Sequence, residues 1–434
     1  MSEKDYYRRC LENMYGLRRF GIKLGLDTIR SILDGIGRPQ QHFRTVHIAG
    51  SNGKGSVASA LSTILHLCGY KTGLYTSPHL VRFNERICIN NRPVSDRAVL
   101  EAYEAINRLP PGEREPTFFE FTTAMALWIF AEEKADWAVI ETGMGGRLDA
   151  TNLLIPEVSV ITNISLEHRE YLGNSIAEIS REKGGIIKQG KPLVTGAQQE
   201  EALAVLRETA AEKNAPFYRM GEHFRVKSQD KKIFRYQGIE NHWEDMQTGL
   251  SGRYQMDNAA LVLAVCEILI GQGHPVSLDQ IRKGLLHNRW PGRLEIVSES
   301  PRVILDGAHN LDAARVLGDY LKEETADRKM IMVIGILDDK PYREMLDYLL
   351  PHCEKVIVCS PKTGRALPAE KLAAVSEEAG KDTEIISDVG NALARAMENA
   401  AAQDIICVAG SLYVVGEAKE YLEKKGIPSF QREI

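Results

Sequence analysis

From residue 44 onward the chain alternates short β-branched and aliphatic runs with longer stretches that carry an apolar helical face. Runs of the first kind at 45–49, 71–76, 137–141 and 158–161 predict short, buried strands. Stretches of the second kind at 57–67 and 121–132 predict helices. Such alternation implies an α/β fold built on a largely parallel sheet. Residues 254–271 predict a long apolar helix. Its run from Ala259 to Ile270 is broken by Glu267 and is too short to span a bilayer, so it reads as a buried helix. Pro291 and Gly292 then interrupt the pattern. A second alternation follows, with strands expected at 303–305, 331–334, 355–358 and 405–408. The boundary is placed near residue 293, giving a domain over 1–292 and a smaller α/β domain over 293–434. The second, roughly 140 residues long, is large enough to fold as a unit. The polar, β-like stretch 221–244 reads as a hairpin excursion from the first domain.

Composition narrows the class. A chain of 434 residues with 44% hydrophobic and 26% charged positions has the make-up of a globular protein of two or three domains. It can bury a core without disulfides or a structural metal. The net charge of −5 argues against a broad nucleic-acid footprint or a polybasic membrane anchor. Seven cysteines, an odd number with no CxxC pair, point to reduced thiols. The N-terminal MSEKDYYRRC lacks the apolar core of a signal peptide. The expectation is a reduced, soluble, intracellular enzyme with no membrane or nucleic-acid partner.

The candidate chemistry begins at Gly50-Ser51-Asn52-Gly53-Lys54-Gly55-Ser56, between a predicted strand and a predicted helix. Glycines there let backbone N–H groups approach phosphate oxygens, and the helix N-terminus favours anions. Lys54 is suited to the outer phosphates and Ser56 to Mg²⁺. The alternative is a glycine-rich turn with no ligand. Glu141 ends a predicted buried strand, where α/β sheets place ligands, and its carboxylate suits a hard cation; the alternative is a helix-capping acid in the following turn.

This loop is similar to that of the ATP-dependent amide ligases of the Mur ligase superfamily. Four further segments resemble the bacterial folylpolyglutamate synthase/dihydrofolate synthase family: Thr76 to Leu80 with Phe83 to Ile87, Glu141 to Asn152, Arg293 after Pro291-Gly292, and Asp306 to Asn310. The resemblance implies an N-terminal P-loop ATPase-like domain with a mostly parallel sheet and a smaller C-terminal Rossmann-like domain. It implies ATP-dependent joining of L-glutamate to a dihydropteroate or reduced folate carboxylate through an acyl phosphate, with Mg²⁺ and K⁺ as cations. The Arg293 linker is then a hinge, and the C-terminal domain binds glutamate and closes over ATP.

The same resemblance distributes roles. Asn52, Gly53, Lys54, Gly55, Ser56, Asn258, Arg293 and Asp306 are implied at ATP. Ser56, Ser77, Glu141 and His168 are implied at metal, and Lys54, Lys183 and His309 at the reaction itself. Lys183 is carbamylated in the family; the alternative is a solvated helix lysine. Ser77 is otherwise a plain turn serine and His168 an ordinary surface or core histidine. The family usually has Asp before that histidine, whereas this chain has Glu167. Thr117, Phe118, Phe119 and Glu120, with Leu148, Asp149 and Ala150, are implied at the pteroate. The aromatic faces suit ring stacking; equally, Phe118 and Phe119 read as core of the following helix. Leu24 to Asp27 resembles a further pterin-side segment. The competing readings are a Mur-type ligase acting on a UDP-linked peptide and a P-loop nucleotide-binding switch.

Overall fold

The short apolar runs become strands because they have no solvent-facing side. In a computed structural model, which describes residues 2–17, 21, 25–230 and 233–427, Trp137–Glu141, Val158–Ile161 and Thr72–Tyr75 are buried along their whole length. A strand covered on both faces must be apolar throughout, which is the signature of a parallel sheet under helices. The first sheet uses β1 (Arg44–Ala49), β2 (Thr72–Tyr75), β3 (Ile87–Ile89), β4 (Arg92–Pro93), β5 (Trp137–Glu141), β6 (Val158–Ile161), β7 (Leu193–Thr195) and β8 (Phe217–Arg219), in the order β4-β3-β2-β5-β1-β6-β7-β8. From β2 to β8 every pairing is parallel, and β3 and β4 add an antiparallel edge. One apolar cluster contains Phe121, Met125, Ile129 and Phe130 with Val99. Another contains Ile161, Ile179, Leu203 and Leu206.

Two units result. One comprises Met1–Ser77, Phe83–Gly249 and Gln255–Asn288; the other comprises Pro78–Arg82, Leu250–Tyr254 and Arg289–Ile434. In the second, β12 (Glu295–Glu299), β13 (Arg302–Leu305), β14 (Met330–Ile334), β15 (Lys355–Val358), β16 (Asp382–Ile385) and β17 (Ile405–Ala409) form a six-stranded sheet in the order β12-β13-β17-β14-β15-β16. Only β12 runs antiparallel to its neighbour. Apolar clusters with Met332, Leu346 and Leu372, and with Val333, Leu393 and Val414, make up its core.

The stretch expected to be a hairpin is a three-stranded antiparallel sheet of β9 (Arg225–Ser228), β10 (Ile233–Gln237) and β11 (His242–Gln247), in the order β11-β10-β9. The third strand escaped the pattern because its register slips. Tyr236 faces Trp243 and Phe234 faces Met246, with Asp245 at φ 53° taking up the extra residue. A bulge of this kind breaks the period-two alternation that identifies strands. The helix expected at 57–67 begins at Lys54, and that expected at 121–132 begins at Phe118.

The helix Tyr254–Gly271 is long and apolar enough to cross a bilayer, yet residues 259–267 are buried in the first unit. Its one interior acid has a clear task. The Glu267 carboxylate accepts hydrogen bonds from the Tyr236 hydroxyl and from the backbone N–H groups of Ile239, Glu240 and Asn241. It ties the turn between β10 and β11 to the core helix; burial, aided by this carboxylate, pushes the phenol pKa of Tyr236 up. Removing the acceptor strands several donors, each costing about 1–3 kcal/mol when buried. Glu267→Ala is expected to lower the urea unfolding midpoint clearly, and Glu267→Gln, which keeps one acceptor, to lower it less. Equal midpoints for parent and Glu267→Ala would refute this account.

Candidate functional site

The phosphate-loop segment leaves β1 and enters the helix Lys54–Leu67 through two glycines in left-handed conformations, Gly50 at φ 147° and Gly53 at φ 83°. Neither tolerates a side chain. A Cβ on Gly50 would lie 1.9 Å from Thr162 Oγ1, and one on Gly53 would lie 2.5 Å from Asn258 Oδ1. The loop is pinned to the segment that follows β6. Ser51 N–H donates to Asn163 O, Asn52 N–H to Asn163 Oδ1 at 2.8 Å, and Thr162 Oγ1–H to Asn52 O at 2.6 Å. Ser51 Oγ accepts from the Ser165 N–H at 2.9 Å. Asn52 to Gly55 remain half-buried while the frame beneath them is fixed.

Lys54 Nζ donates to the carbonyls of Gly50 and Ser51 at 2.9 and 3.3 Å and lies 4.0 Å from Glu141 Oε1. Glu141 arrives there because β5 pairs with β1: Ile48 is its register partner, and the next N–H, of Thr142, donates to Ile48 O. Its Oε2 accepts from the Ser77 N–H at 3.2 Å, so Ser77, Glu141 and Lys54 form one group. Ser56 is buried, with its Oγ accepting from Gln255 Nε2 at 3.4 Å. Gln255 in turn accepts from Asn258 Nδ2 at 2.9 Å. Ser56 and Asn258 thus border the same loop.

His168 is exposed, in a left-handed conformation at φ 45°, at the start of the short helix Arg169–Leu172. Among the described residues no group of three or more His, Cys, Asp and Glu is gathered. The expected metal donors therefore amount to a carboxylate, two hydroxyls and one imidazole. Hydroxyl and carboxylate oxygens suit a hard cation.

Next to it lies a buried ion pair. Lys183, 1% exposed, donates to Glu167 Oε1 at 2.8 Å. This excludes the solvated helix lysine. Burial alone would raise the Glu167 pKa, but the Lys183 ammonium, aided by Lys54, overrides it and holds the carboxyl down at about 2. Burial in turn pulls the Lys183 pKa down, against the pull of Glu167.

The segment implied at the pteroate divides. Thr117 and Glu120 form a capping box on the helix Phe118–Glu132, and Arg114 grips Glu120 with two N–H groups at 2.7 and 2.9 Å. Phe118 is core, packed on Tyr15 and Phe83 with the Arg86 guanidinium over its ring. Phe119 is half-buried beside Tyr75, and its ring fills the space that a Cβ on Gly143 would need. Leu148 is half-buried and Ala150 buried. Asp149 is wholly engaged: Oδ2 accepts from Gly143 N–H and Met144 N–H, and Oδ1 from the N–H and hydroxyl of Thr151. Of the segment 24–27, Leu24 lies outside the described residues, and Asp27 opens the helix Asp27–Gly35.

In the second unit Asp306 follows β13. Its oxygens accept from Leu294 N–H at 2.8 Å and Ala308 N–H at 2.9 Å, which fixes the backbone around half-buried Arg293. Burial raises the Asp306 pKa and the Arg293 charge opposes it. His309 Nδ1 lies 2.8 Å from Gly307 O, so that nitrogen carries the proton, and Asn310 caps the helix Leu311–Glu324. Pattern reading missed the groups that hold these segments in place: Thr162, Asn163 and Gln255 in the first unit, and the buried Lys419–Glu295 pair at 2.7 Å in the second. No local motif marks them.

Residues 48–266 match the Mur ligase middle domain and residues 292–412 match the Mur ligase glutamate ligase domain. The chain is 35% identical over 431 residues to the dihydrofolate synthase/folylpolyglutamate synthase of Bacillus subtilis, covering 96% of this chain and 99% of that one. Its fold matches Escherichia coli FolC in complex with DHPP and ADP at a TM-score of 0.88 and 31% identity, covering 96% and 98% of the two chains. It also matches the Yersinia pestis bifunctional folylpolyglutamate synthase/dihydrofolate synthase complexed with AMPPNP and Mn ion at a TM-score of 0.86 and 32% identity, covering 96% and 98%.

Gly53→Ala tests the loop geometry. The strain of a left-handed alanine, about 1–3 kcal/mol, adds to the clash with Asn258. Calorimetric titration with a nucleoside diphosphate is expected to show at least about tenfold weaker binding. Unchanged affinity would refute the role given to this glycine.

Proposed function

We propose a function that proceeds from family: this chain belongs to the folylpolyglutamate synthase/dihydrofolate synthase family of the Mur ligases. It is an ATP-dependent ligase that joins L-glutamate to a folate or pteroate carboxylate. The observation that carries this reading is the placement of Lys54 and Glu141 4.0 Å apart at one end of adjacent parallel strands, beside a phosphate loop. In the reaction a substrate carboxylate oxygen attacks the γ-phosphorus of ATP and the bond to ADP breaks. The α-amino group of glutamate then attacks the acyl carbon, phosphate leaves and the amine loses a proton. Both steps bring anions together, so fixed positive charge and oriented donors lower the barrier.

Within that scheme Lys54 takes the outer phosphates, with Asn52, Gly53, Gly55 and Ser56 supplying loop contacts and Asn258 lying beside adenine. Arg293 and Asp306 are assigned to the nucleotide and His309 to the reacting phosphoryl group. Ser56, Ser77, Glu141 and His168 would hold Mg²⁺, which would neutralise phosphate charge. K⁺ is a further cation. Phe119 and Leu148 offer apolar surface to the pteroate, with Thr117, Phe118, Glu120, Asp149 and Ala150 framing them. Residues 1–292 serve ATP and folate and residues 293–434 serve glutamate, in a cytoplasmic monomer. Substrates are ATP, L-glutamate and either dihydropteroate or a reduced folate.

The deciding assay measures ADP release with dihydropteroate and with a reduced monoglutamyl folate, each with and without L-glutamate. ADP is expected only when glutamate and an acceptor are both present; ATP turnover without them would favour a nucleotide switch. Lys54→Ala is expected to reduce kcat/KM by about 10²-fold or more, as loss of a transition-state charge contact does, with little change in unfolding midpoint. A near-parental rate would remove Lys54 from the mechanism.

Carbamylation of Lys183 is proposed as well. Burial pulls its pKa down toward the neutral amine, against the pull of Glu167, and that amine adds to CO₂ with release of one proton. In isotope-labelled bicarbonate the parent is expected to show a carbamate carbon signal that Lys183→Arg lacks. Identical spectra would overturn the assignment.

A further inference from the structure

A buried relay runs beneath the glycine loop that follows Glu141, and it starts from a residue with no role so far. His47 lies on β1, fully buried. Its Nε2 is 2.7 Å from Thr151 Oγ1. The Thr151 hydroxyl is 2.5 Å from Asp149 Oδ1, and Asp149 Oδ2 accepts from the N–H groups of Gly143 and Met144.

The directions of these bonds follow from chemistry. Burial raises the Asp149 pKa, but three backbone N–H groups and the Thr151 hydroxyl oppose it, and a carboxylate so surrounded only accepts, so the hydroxyl spends its single proton on Asp149. The bond from His47 therefore runs from Nε2–H to the threonine oxygen. That leaves Nδ1 as a bare lone pair, with no hydrogen-bond partner among the described residues. Burial pushes the imidazole pKa down to about 3, so the ring stays neutral and keeps this tautomer across the physiological range. A second tie fixes the far end of the loop: Asn152 Nδ2 donates to Arg147 O and Gly185 O, and Lys188 Nζ donates to Asn152.

The loop held in this way has little freedom of its own. Gly145 is left-handed at φ 66°, and Gly143 sits directly against the Phe119 ring, with a hypothetical Cβ 2.5 Å from it. The separation of the Gly143 peptide from that ring is thus set from below, through Asp149, Thr151 and His47. We propose that His47 is a positioning residue for the folate or pteroate substrate: through Thr151 and Asp149 it fixes the Gly143–Met144 backbone against Phe119. The idea rests on the reading that this loop and Phe119 border the acceptor pocket.

The test compares His47→Leu, His47→Gln and Thr151→Val in steady-state kinetics, with KM measured separately for the acceptor and for ATP. Gln places an N–H donor close to the position of Nε2, whereas Leu fills the space without one. His47→Leu is expected to raise KM for the acceptor about tenfold, as loss of a buried hydrogen bond to a charged network does, with KM for ATP within about twofold. His47→Gln should recover most of the loss. Thr151→Val breaks the same chain at its middle link, should show the same split, and replaces His47→Leu if that variant does not fold. Unchanged acceptor KM in Thr151→Val, an equal rise in both KM values, or no recovery in His47→Gln would overturn the relay. Parental protein that fails to turn over either acceptor would instead overturn the assigned function.

Discussion

The meeting of Lys54 and Glu141 in the first unit depends on the register of one strand pair. β1 and β5 are parallel neighbours, and Ile48 is opposite Glu141. That offset brings the last residue of one strand level with the start of the phosphate loop on the other. A slip of one residue would turn every side chain of β5 to the opposite face and carry the carboxylate away from Lys54. The register is secured because both strands are buried on both faces and flanked by β2 and β6. The sheet is thus more than a scaffold under a loop. It is what brings a cation and an anion, separated by 87 residues in sequence (141 minus 54), to 4.0 Å.

Around this pair the loops are shaped by what cannot be there. Gly50 is required by the Thr162 hydroxyl and Gly53 by Asn258. Gly143 is required by the Phe119 ring, and Gly185 by the backbone of Arg147, 2.3 Å from a would-be Cβ. Each glycine marks a place where two segments approach too closely for a side chain. The polar side chains then work in reverse of first appearance. Asp149 spends all its acceptor capacity on its own loop, and Glu120 spends its own on a helix start and Arg114. These acids order backbone. Glu141 faces the phosphate loop.

This explains what the sequence made legible. The loop between β1 and the helix Lys54–Leu67 was readable because its strand, glycines, lysine and helix are contiguous. The parallel sheets were readable because strands buried on both faces leave uninterrupted apolar runs. The frame beneath the loop was not, since Thr162, Asn163 and Gln255 act across 110 to 199 residues and belong to no local pattern. The small sheet β9–β11 was only half readable, because the shifted register at Asp245 disrupts its alternation. Phe118 and Phe119 show the limit most sharply. They are adjacent and chemically identical, yet one is core and the other half-buried beside Gly143. Which is which depends on where β5 and its loop lie, a long-range fact that no window around residue 118 contains.

Charge follows the same logic. A net charge of −5 would repel an anionic nucleotide and an anionic acceptor at long range, but screening confines that effect to about 8 Å at physiological salt. What matters is the local arrangement, and there two lysines are held in low-dielectric surroundings. Lys183 is neutralised by Glu167, since a buried ammonium without a partner would cost several kcal/mol. Lys54 is treated differently. Its nearest carboxylate, Glu141, stays at 4.0 Å, and its short contacts are to two backbone carbonyls. Carbonyl dipoles orient an ammonium without cancelling its charge. Lys183 is thus paired inside the protein, whereas Lys54 lies in the half-buried loop with its ammonium held by two backbone carbonyls.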